Sequence, residues 1–412
     1  MNDKLQVVFV GHVDHGKSTL IGRLLYDTDS VPEDKIKDMK SSNSVQGELD
    51  FAFLMDHFEE ERNQGITIDT SQIFFRSKSR EYVIIDTPGH VEFIVNMVTG
   101  AAQADVAVLI IDANEGIQEQ TKRHAYILSL LGIKQVILAV NKMDLVEYQE
   151  IVFREIVSNI VPFLKKVDIN SFTAVPISAV NGDNITIRSS NMSWYCEMTL
   201  LDMLDSIETT YSFEQGEIIF PVQDVYNTKI QDKKCRVIVG KVETGEMKIC
   251  QEISVLPSGE KANIKSLEKF DKQCEIANTG ESIGLVIDKP LFIERGNIIV
   301  APANRQTITS AFKATVFWMN SNMGKVGERL SLRCSTQEVG CTVKTIITKI
   351  NSSTLETIND EKEYMNKMEV CDVEVCTKYP LIVNEVSVNN VLSRFVLLKD
   401  NNIVAGGIIT SI

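Results

Sequence analysis

Residues 11–18 read Gly11-His12-Val13-Asp14-His15-Gly16-Lys17-Ser18 and fit the phosphate-loop pattern G-x-x-x-x-G-K-[ST]. The pattern follows an apolar stretch at 7–10 and precedes a helical stretch at 19–25, which is the strand–loop–helix context that it requires. Backbone N–H groups in such a loop surround phosphate oxygens. The residues that we expect to contact nucleotide phosphates here are Gly11, His12, Val13, Asp14, His15, Gly16, Lys17, Ser18 and Thr19. Asp14 is also a candidate for hydrogen bonding within the loop.

Four further nucleotide-site signatures follow this loop in chain order. They read Gly65-Ile66-Thr67-Ile68, Asp86-Thr87-Pro88-Gly89-His90, Asn141-Lys142-Met143-Asp144 and Ser178-Ala179. A single short string of this kind occurs by chance, but five in this order are typical of a GTP-binding, GTP-hydrolysing switch. We therefore predict that the chain binds GTP and GDP together with Mg²⁺.

The third and fourth signatures are expected to read the base. Asp144 can accept the N1–H and the 2-amino group of guanine, whereas ATP would leave this carboxylate unpaired. Asn141 is predicted to contact the base, and Lys142 to lay its aliphatic stem on the base face. Ser178 and Ala179 are expected to offer backbone N–H groups near the guanine oxygen.

The first two signatures are expected to sense the γ-phosphate and hold the metal ion. The predicted Mg²⁺ ligands are the hydroxyls of Ser18 and Thr67, with Asp86 acting through water. Backbone N–H groups of Thr67 and Gly89 would meet the γ-phosphate. Because these contacts exist only in the triphosphate state, hydrolysis would release both loops.

His90 is the candidate catalytic residue. A histidine directly after Asp-Thr-Pro-Gly can orient the attacking water toward the γ-phosphate. The alternative is a solvent-exposed residue of a switch segment. Val13 and Ile66 are expected to flank the path of His90 as an apolar gate.

The first half of the chain alternates short apolar segments with helical stretches. The predicted strands lie at 6–10, 82–85, 106–111, 136–140 and 174–177. This alternation predicts an α/β P-loop GTPase domain, a mostly parallel sheet with helices on both faces, over residues 1–211.

After residue 211 the pattern changes to short strands separated by turn residues, which favours two all-β barrel domains. Their expected ranges are 212–303 and 304–412. The predicted strands lie at 235–239, 252–256, 262–267, 315–319, 342–350, 370–376, 394–398 and 403–409.

Composition narrows the possible partners. Lys and Arg total 42 against 56 Asp and Glu, a net charge of -14, which disfavours nucleic acid as a partner. The chain shows neither a signal peptide nor an apolar run of about 20 residues, so no membrane contact is expected. Its eight cysteines have no zinc-ligand spacing and suit free thiols in the cytoplasm.

Taken together, His90, the phosphate loop and Gly-Ile-Thr-Ile resemble the translation-factor class of GTPases. Asp183-Asn184 with Asn191-Met192-Ser193-Trp194-Tyr195 resembles an insert shared by elongation factor 1-alpha and the large subunit of bacterial sulfate adenylyltransferase. Strings at 24–28, 130–133, 315–319 and 394–398 resemble the latter, the GTPase subunit of heterodimeric ATP sulfurylase, more closely.

This resemblance implies a small adenylyltransferase subunit as partner, which makes adenylyl sulfate and pyrophosphate from ATP and sulfate. It also implies that GTP hydrolysis drives that reaction. Because no second phosphate-loop pattern follows, no fused adenylyl-sulfate kinase is expected. Ser193 and Cys250 depart from the family, where Pro and Gly are usual. A Cys250 with positive φ would be strained by about 1 kcal/mol.

Two other functions fit parts of the sequence. One is a GTP-dependent carrier of aminoacyl-tRNA, which the acidic charge disfavours. The other is a GTPase partner of an adenylyltransferase that uses a different acceptor, since the partner would hold the acceptor site.

Overall fold

The computed structural model describes residues 4–31, 51, 72–85, 104–133, 135–207, 218–230, 233–269, 272–303, 306–385 and 391–412. The chain divides into two compact units. The first is formed mainly by residues up to 209, and the second mainly by residues from 210 onward.

The first unit is built on a six-stranded sheet. Its strands are β1 (Lys4–Gly11), β2 (Gln72–Arg76), β3 (Glu81–Ile85), β4 (Val106–Asp112), β5 (Gln135–Asn141) and β6 (Ser171–Pro176). Their spatial order is β2-β3-β1-β4-β5-β6, and β2 with β3 is the antiparallel pair. β4 is buried along its whole length, as expected for an apolar strand covered on both faces.

Four α-helices connect these strands in the described part of the first unit. They are α1 (Lys17–Asp27), α2 (Glu119–Leu130), α3 (Glu150–Lys166) and α4 (Leu200–Ser206). α1 buries Leu20, Ile21, Leu24 and Leu25 in the core, with the three- and four-residue spacing of an amphipathic helix. Two short 3₁₀ turns, Val13–His15 and Met143–Val146, follow β1 and β5.

The second unit begins with an antiparallel sheet whose pairings close on themselves. Its strands are β7 (Ile219–Ile230), β8 (Lys233–Lys241), β10 (Glu252–Leu256), β11 (Glu260–Lys269), β12 (Lys272–Cys274), β14 (Ser282–Ile287) and β15 (Ile298–Val300). The short strands β9 (Glu246–Lys248) and β13 (Ile276–Asn278) pair separately with each other. The order β10-β15-β7-β8-β14-β11 is closed by pairing of β11 with β10. Buried side chains such as Phe220, Met247 and Leu285 fill its interior.

A second closed barrel follows. Its elements are β16 (Thr307–Trp318), β17 (Gly324–Lys325), β18 (Arg329–Cys334), β19 (Gln337–Asn351), β20 (Tyr364–Met365), β21 (Glu369–Val383), β22 (Arg394–Lys399) and β23 (Asn402–Ser411). The barrel order is β16-β21-β19-β18-β22-β23, and β17 pairs separately with β20. Trp318 and Phe395 are among the side chains of its core. A small cluster of Ile219, Ile298, Val300, Ile382 and Leu392 packs the two sheets together.

The predicted fold class is confirmed: a mostly parallel α/β P-loop GTPase domain precedes β-barrel structure. Each strand predicted from the sequence overlaps an observed strand, and the observed strands are generally longer. The boundaries at 211 and 303 stay predictions.

Candidate nucleotide-binding site

The predicted nucleotide residues of the described ranges converge on one edge of the sheet. The register pairs Asp112 with Asn141, so β4 and β5 end level with one another, and it pairs Gly11, the end of β1, with Ile110 near the same edge. Because parallel strands present their carboxyl ends at the same edge, the segments that follow them meet there. The sheet therefore joins motifs that are far apart in sequence.

The phosphate loop is a 3₁₀ turn followed directly by α1. Gly16 stands between the two with φ 81° and ψ 30°, a left-handed conformation that favours glycine. A Cβ on Gly16 would lie 2.6 Å from Asn141 Nδ2, so a side chain at position 16 would also collide with Asn141. Lys17, Ser18 and Thr19 form the first turn of α1, where main-chain N–H groups point away from the helix and suit an anion.

Asn141 connects the phosphate loop with the loop predicted to face guanine. Its side chain is buried. Nδ2 donates to the main-chain oxygen of His15 at 2.9 Å, and Oδ1 accepts from the N–H of Ala179 at 2.9 Å. One N–H of the amide is left for a base, so Asn141 can hold two loops together while it contacts guanine.

Asp112, which the sequence analysis missed, fixes Lys142. The Lys142 Nζ lies 2.7 Å from Asp112 Oδ2, and the N–H of Asn114 donates to Asp112 Oδ1 at 2.7 Å. Burial raises the pKa of the Asp112 carboxyl, but these hydrogen bonds outweigh it and hold the pKa below its usual range. The available signal was an acidic residue closing an entirely apolar strand.

The histidine side chains of the phosphate loop contact other groups of the protein. The His15 side chain is fully buried, with Nδ1 3.2 Å from the main-chain oxygen of Ile110 and Nε2 3.4 Å from Glu115 Oε2. The rings of His12 and His15 lie 5.3 Å apart. Asp14 is exposed and makes no hydrogen bond to the described residues through its carboxylate, so a bonding role within the loop is not seen there.

Asp144 lies in the 3₁₀ turn after β5 and is half-buried. Among the described residues, its carboxylate has no hydrogen-bond or ion-pair partner, which leaves both oxygens available to a ligand. Tyr148 follows shortly after this turn, and its hydroxyl donates to Asp183 Oδ2 at 3.0 Å. The main-chain oxygen of Tyr148 accepts from Trp194 Nε1 at 2.9 Å. The family-like segment 183–195 therefore supports the turn that carries Asp144.

The same segment protects the edge of the sheet. Asn184 Nδ2 donates to the main-chain oxygen of Pro176 at 3.0 Å, and the Tyr195 hydroxyl donates to that of Ala174 at 3.3 Å. β6 is the last strand of the sheet, and such coverage satisfies backbone groups that would otherwise be unpaired. The unusual Ser193 lies at an exposed position.

The loop after β6 is tightly wound. Ser178 is buried, and its main-chain oxygen accepts from the N–H of Gly182 at 2.8 Å. The N–H of Ala179 is used by Asn141 Oδ1. The N–H of Val180 has no acceptor among the described residues, so it is the group in this loop that is open to a base oxygen.

Several predicted residues are not located by the structure. Thr67, Asp86, Gly89, His90 and Ile66 lie outside the described residues, and the side chain of Val13 is not described. Within the described ranges, no group of His, Cys, Asp and Glu is arranged to hold a metal ion by itself. No helix of the described ranges is long and apolar enough to cross a bilayer.

Family profiles match both ends of the chain. The Elongation factor Tu GTP binding domain matches residues 2–210, and the GTP-eEF1A C-terminal domain-like family matches residues 311–410. The first unit is thus a GTPase domain, which confirms the predicted binding of guanine nucleotides at the level of the family.

Curated relatives extend the similarity over the whole chain. Sulfate adenylyltransferase subunit 1 of Psychromonas ingrahamii is 36% identical over 414 residues, which cover 99% of this chain and 87% of the relative. The chain belongs to this family. The same subunit of Aliarcobacter butzleri is 34% identical over 412 residues, covering 98% of this chain and 87% of that protein. The resemblance drawn from the sequence is confirmed, and "subunit 1" implies a further subunit for these relatives.

A second group of relatives is longer. Bifunctional enzyme NodQ of Rhizobium meliloti is 36% identical over 411 residues, which cover 98% of this chain but 63% of NodQ. The chain therefore spans somewhat less than two thirds of NodQ.

Proposed function

We propose that this chain is the GTP-hydrolysing subunit of a sulfate adenylyltransferase. In this proposal it couples GTP hydrolysis to the formation of adenylyl sulfate and pyrophosphate from ATP and sulfate by a smaller adenylyltransferase subunit. The observation that carries the proposal is similarity to subunit 1 relatives over 99% of this chain, barrels included. A GTPase domain alone would also suit other members of the translation-factor class.

The roles in GTP binding follow from the chemistry of each group. Asp144 accepts the N1–H and 2-amino groups of guanine, and Lys142, fixed by Asp112, covers the base face. Asn141 offers its remaining N–H to the base, and the loop at Ser178 and Ala179 faces the guanine oxygen. Backbone groups of residues 11–19 and the Lys17 ammonium bind the phosphates.

A magnesium ion fits the donor set proposed for it. Mg²⁺ prefers oxygen ligands and is usually held by one or two protein groups, nucleotide phosphates and water. The hydroxyl of Ser18, in the first turn of α1, would supply one ligand. Thr67 would supply a second, and Asp86 would act through water. When bound, the ion neutralises charge on the β- and γ-phosphates.

Coupling to GTP has an energetic reason. Replacement of a pyrophosphate linkage by the higher-energy phosphosulfate anhydride is unfavourable, so adenylyl sulfate formation needs a driving force. Switch segments that order on the γ-phosphate and relax on its loss would provide one. In this proposal His90 orients the attacking water, and Val13 and Ile66 flank it.

The partner would be a small adenylyltransferase that holds both ATP and the acceptor. We place the complex in the cytoplasm, and the eight free cysteines are compatible with a reducing compartment.

The test is pyrophosphate release from ATP by this chain purified together with its adenylyltransferase subunit. We expect release to require both sulfate and GTP, and to be lost when GTP is replaced by a non-hydrolysable analogue. Release that does not depend on sulfate would point to another acceptor. Release that depends on sulfate but not on GTP would refute coupling. Tight GTP-dependent binding of aminoacyl-tRNA would favour the carrier function.

A further inference from the structure

We infer that Arg23 is a positioning residue for guanine recognition, which ties the helix of the phosphate loop to the loop that faces the base. The loop in question is residues 178–182, called the guanine loop below. This inference rests on the proposed use of the guanine loop in nucleotide binding. It does not depend on sulfate activation or on a partner subunit.

Arg23 lies on α1, the helix that starts at Lys17. Its Nε donates to Asp27 Oδ1 at 2.8 Å, one turn further along the helix. One terminal nitrogen donates to the main-chain oxygen of Val180 at 3.1 Å, across 157 positions of the chain. The side chains of Arg23 and Asp27 are 21% and 11% exposed, so their ion pair is largely shielded from water, whereas the hydrogen bond to Val180 lies at an exposed position.

Asp27 makes a second connection to the same region. Its Oδ2 accepts a hydrogen bond from the Thr186 hydroxyl at 2.9 Å. The Arg23–Asp27 pair therefore holds the chain on both sides of Gly182. A hydrogen bond in which one partner is ionised is stronger than a neutral one, so both attachments restrain the guanine loop.

The contact with the loop backbone is close. A Cβ on Gly182 would lie 2.2 Å from a terminal nitrogen of Arg23, and Gly182 itself has φ +82°. The other face of the guanidinium is covered by Phe51, with the ring centre 5.1 Å from the Arg23 carbon. Phe51 is buried. A planar group with several fixed donors suits this place, whereas lysine has a single rotatable ammonium.

These contacts restrain the part of the guanine loop that would face the base. Arg23 binds the carbonyl oxygen of Val180. The N–H of Val180 belongs to the same residue, so its orientation is restrained together with the carbonyl. Asn141 holds the preceding Ala179 N–H through its Oδ1. With the Ala179 N–H and the Val180 carbonyl both fixed, the guanine loop presents the Val180 N–H to the 6-oxygen of guanine in one orientation. Without Arg23 the loop has to be ordered by the ligand, which weakens binding.

The test measures nucleotide dissociation constants of the isolated chain by fluorescence or calorimetry. GDP is compared with 2-aminopurine riboside diphosphate, which keeps the 2-amino group but lacks the 6-oxygen and the N1–H. The missing N1–H concerns Asp144 and lowers the affinity of wild type and variants alike, so the comparison is of the fold-change for each nucleotide. We expect Arg23→Ala to weaken GDP about tenfold and the 2-aminopurine nucleotide less than about twofold. Arg23→Lys should recover part of the loss for GDP.

The matched control is Arg154→Ala. Arg154 makes the same kind of i,i+4 pair, with Glu150 at 2.6 Å, on the exposed surface of α3. We expect its GDP affinity to equal that of the wild type. Equal losses for the two nucleotides, or equal effects of Arg23→Ala and Arg154→Ala, would overturn the inference.

A second variant guards against loss of folding. Thr186→Val removes the hydroxyl that anchors Asp27 while it keeps the size of the side chain and the charge pair. We expect a loss of GDP affinity in the same direction as for Arg23→Ala, but smaller, with an unchanged circular dichroism spectrum. Wild-type affinity for GDP in a folded Arg23→Ala protein would contradict the inference directly.

Discussion

The side-chain amide of Asn141 donates a hydrogen bond to the main-chain oxygen of His15 at 2.9 Å, across 126 positions of the chain. Since its oxygen also accepts from Ala179, one buried side chain joins the phosphate loop to the guanine loop. Asn141 is thus important for the shape of the site even before a nucleotide binds.

Replacement of Asn141 by alanine should therefore destabilise the nucleotide-free protein. The change leaves a buried carbonyl and a buried N–H without partners, and we expect a loss of about 2 kcal/mol in the free energy of unfolding. Urea unfolding monitored by circular dichroism measures it. Asn181→Ala is the control, because the Asn181 amide contacts Tyr148 at an exposed position; its cost should stay below about 0.5 kcal/mol. Equal stabilities of the two variants would contradict the bridging role.

Replacement of Asp144 by asparagine should change the base preference. An amide can donate to the 2-carbonyl of xanthine, whereas it cannot accept both guanine donors. We expect xanthosine diphosphate to compete better than GDP for the variant, and the reverse for the wild type. Competition binding measures both constants. If the variant keeps the wild-type order, or if wild type binds ATP as well as GTP, Asp144 does not read the base.

Replacement of His90 by alanine should lower the turnover of GTP and leave GTP affinity within a few-fold. A group that orients water acts in the transition state, so kcat should fall by about 10²-fold or more. Lys17→Ala should instead weaken nucleotide binding itself. Single-turnover hydrolysis in the complex with the adenylyltransferase subunit is the measurement. An unchanged rate would assign His90 a structural role.

Replacement of Cys250 by glycine should stabilise the protein. Cys250 has φ 67°, a left-handed conformation that costs a side-chain-bearing residue about 1 kcal/mol or more relative to glycine. The greater freedom of glycine in the unfolded chain offsets part of this gain. We expect the unfolding midpoint in urea to rise for Cys250→Gly and to stay near wild type for Cys250→Ala, which keeps the strain. A decrease for the glycine variant would show that the turn favours a side chain.

Replacement of Lys349 by methionine should destabilise the second barrel. Its side chain is fully buried, and Nζ lies 2.7 Å from Asp360 Oδ1 and 3.1 Å from Glu369 Oε2. Removal of one partner from a fully buried ion pair costs about 3 kcal/mol or more, and we expect a smaller loss here because the Asp360 side chain is 46% exposed. Lys399→Met, which breaks the more solvent-accessible pair with Glu328, should cost clearly less, because water screens such pairs. Thermal unfolding of both variants tests whether the buried ion-pair network contributes more stability than the surface pair.

The contribution of Lys349 should also depend on pH. Burial lowers the pKa of its ammonium, but the hydrogen bonds to Asp360 and Glu369 outweigh burial and raise the pKa above the usual value. A raised pKa means that the stabilisation is complete below the unfolded value of about 10.4 and is lost as the pH rises through the folded value. The stability difference between wild type and Lys349→Met should therefore be constant near neutral pH and narrow in alkaline buffer.

Local sequence supported predictions about single residues of the chain. Gly16 directly precedes Lys17 in the phosphate-loop pattern, which predicts a tight turn there. Its φ of 81° agrees with such a turn. Cys250 was singled out because glycine is usual there, and it has the positive φ that this implied. Such features depend on the preferences of a few adjacent residues. Asp112 was also within reach, because an acidic residue at the end of an apolar strand lies at the edge where ligands bind.

Other contacts of the site leave no signal in the local sequence. These contacts join residues from separate elements of the fold, namely Glu115 with His15, Tyr148 with Asp183, and Arg23 with Val180. The predicted role of Asn141 as a base-reading residue did not include its link to His15.

Motif spacing and side-chain periodicity act over short distances, so they were enough to predict a GTPase domain, its alternating strands and helices, and the barrels that follow. The side chains that hold the motifs together are a property of the tertiary structure. Parallel strands end at a common edge whatever their distance in sequence, and the register of the sheet brings Asn141 level with Asp112 there. Contacts such as Arg23 with Val180 depend on that register and on the packing of α1, which no local pattern specifies.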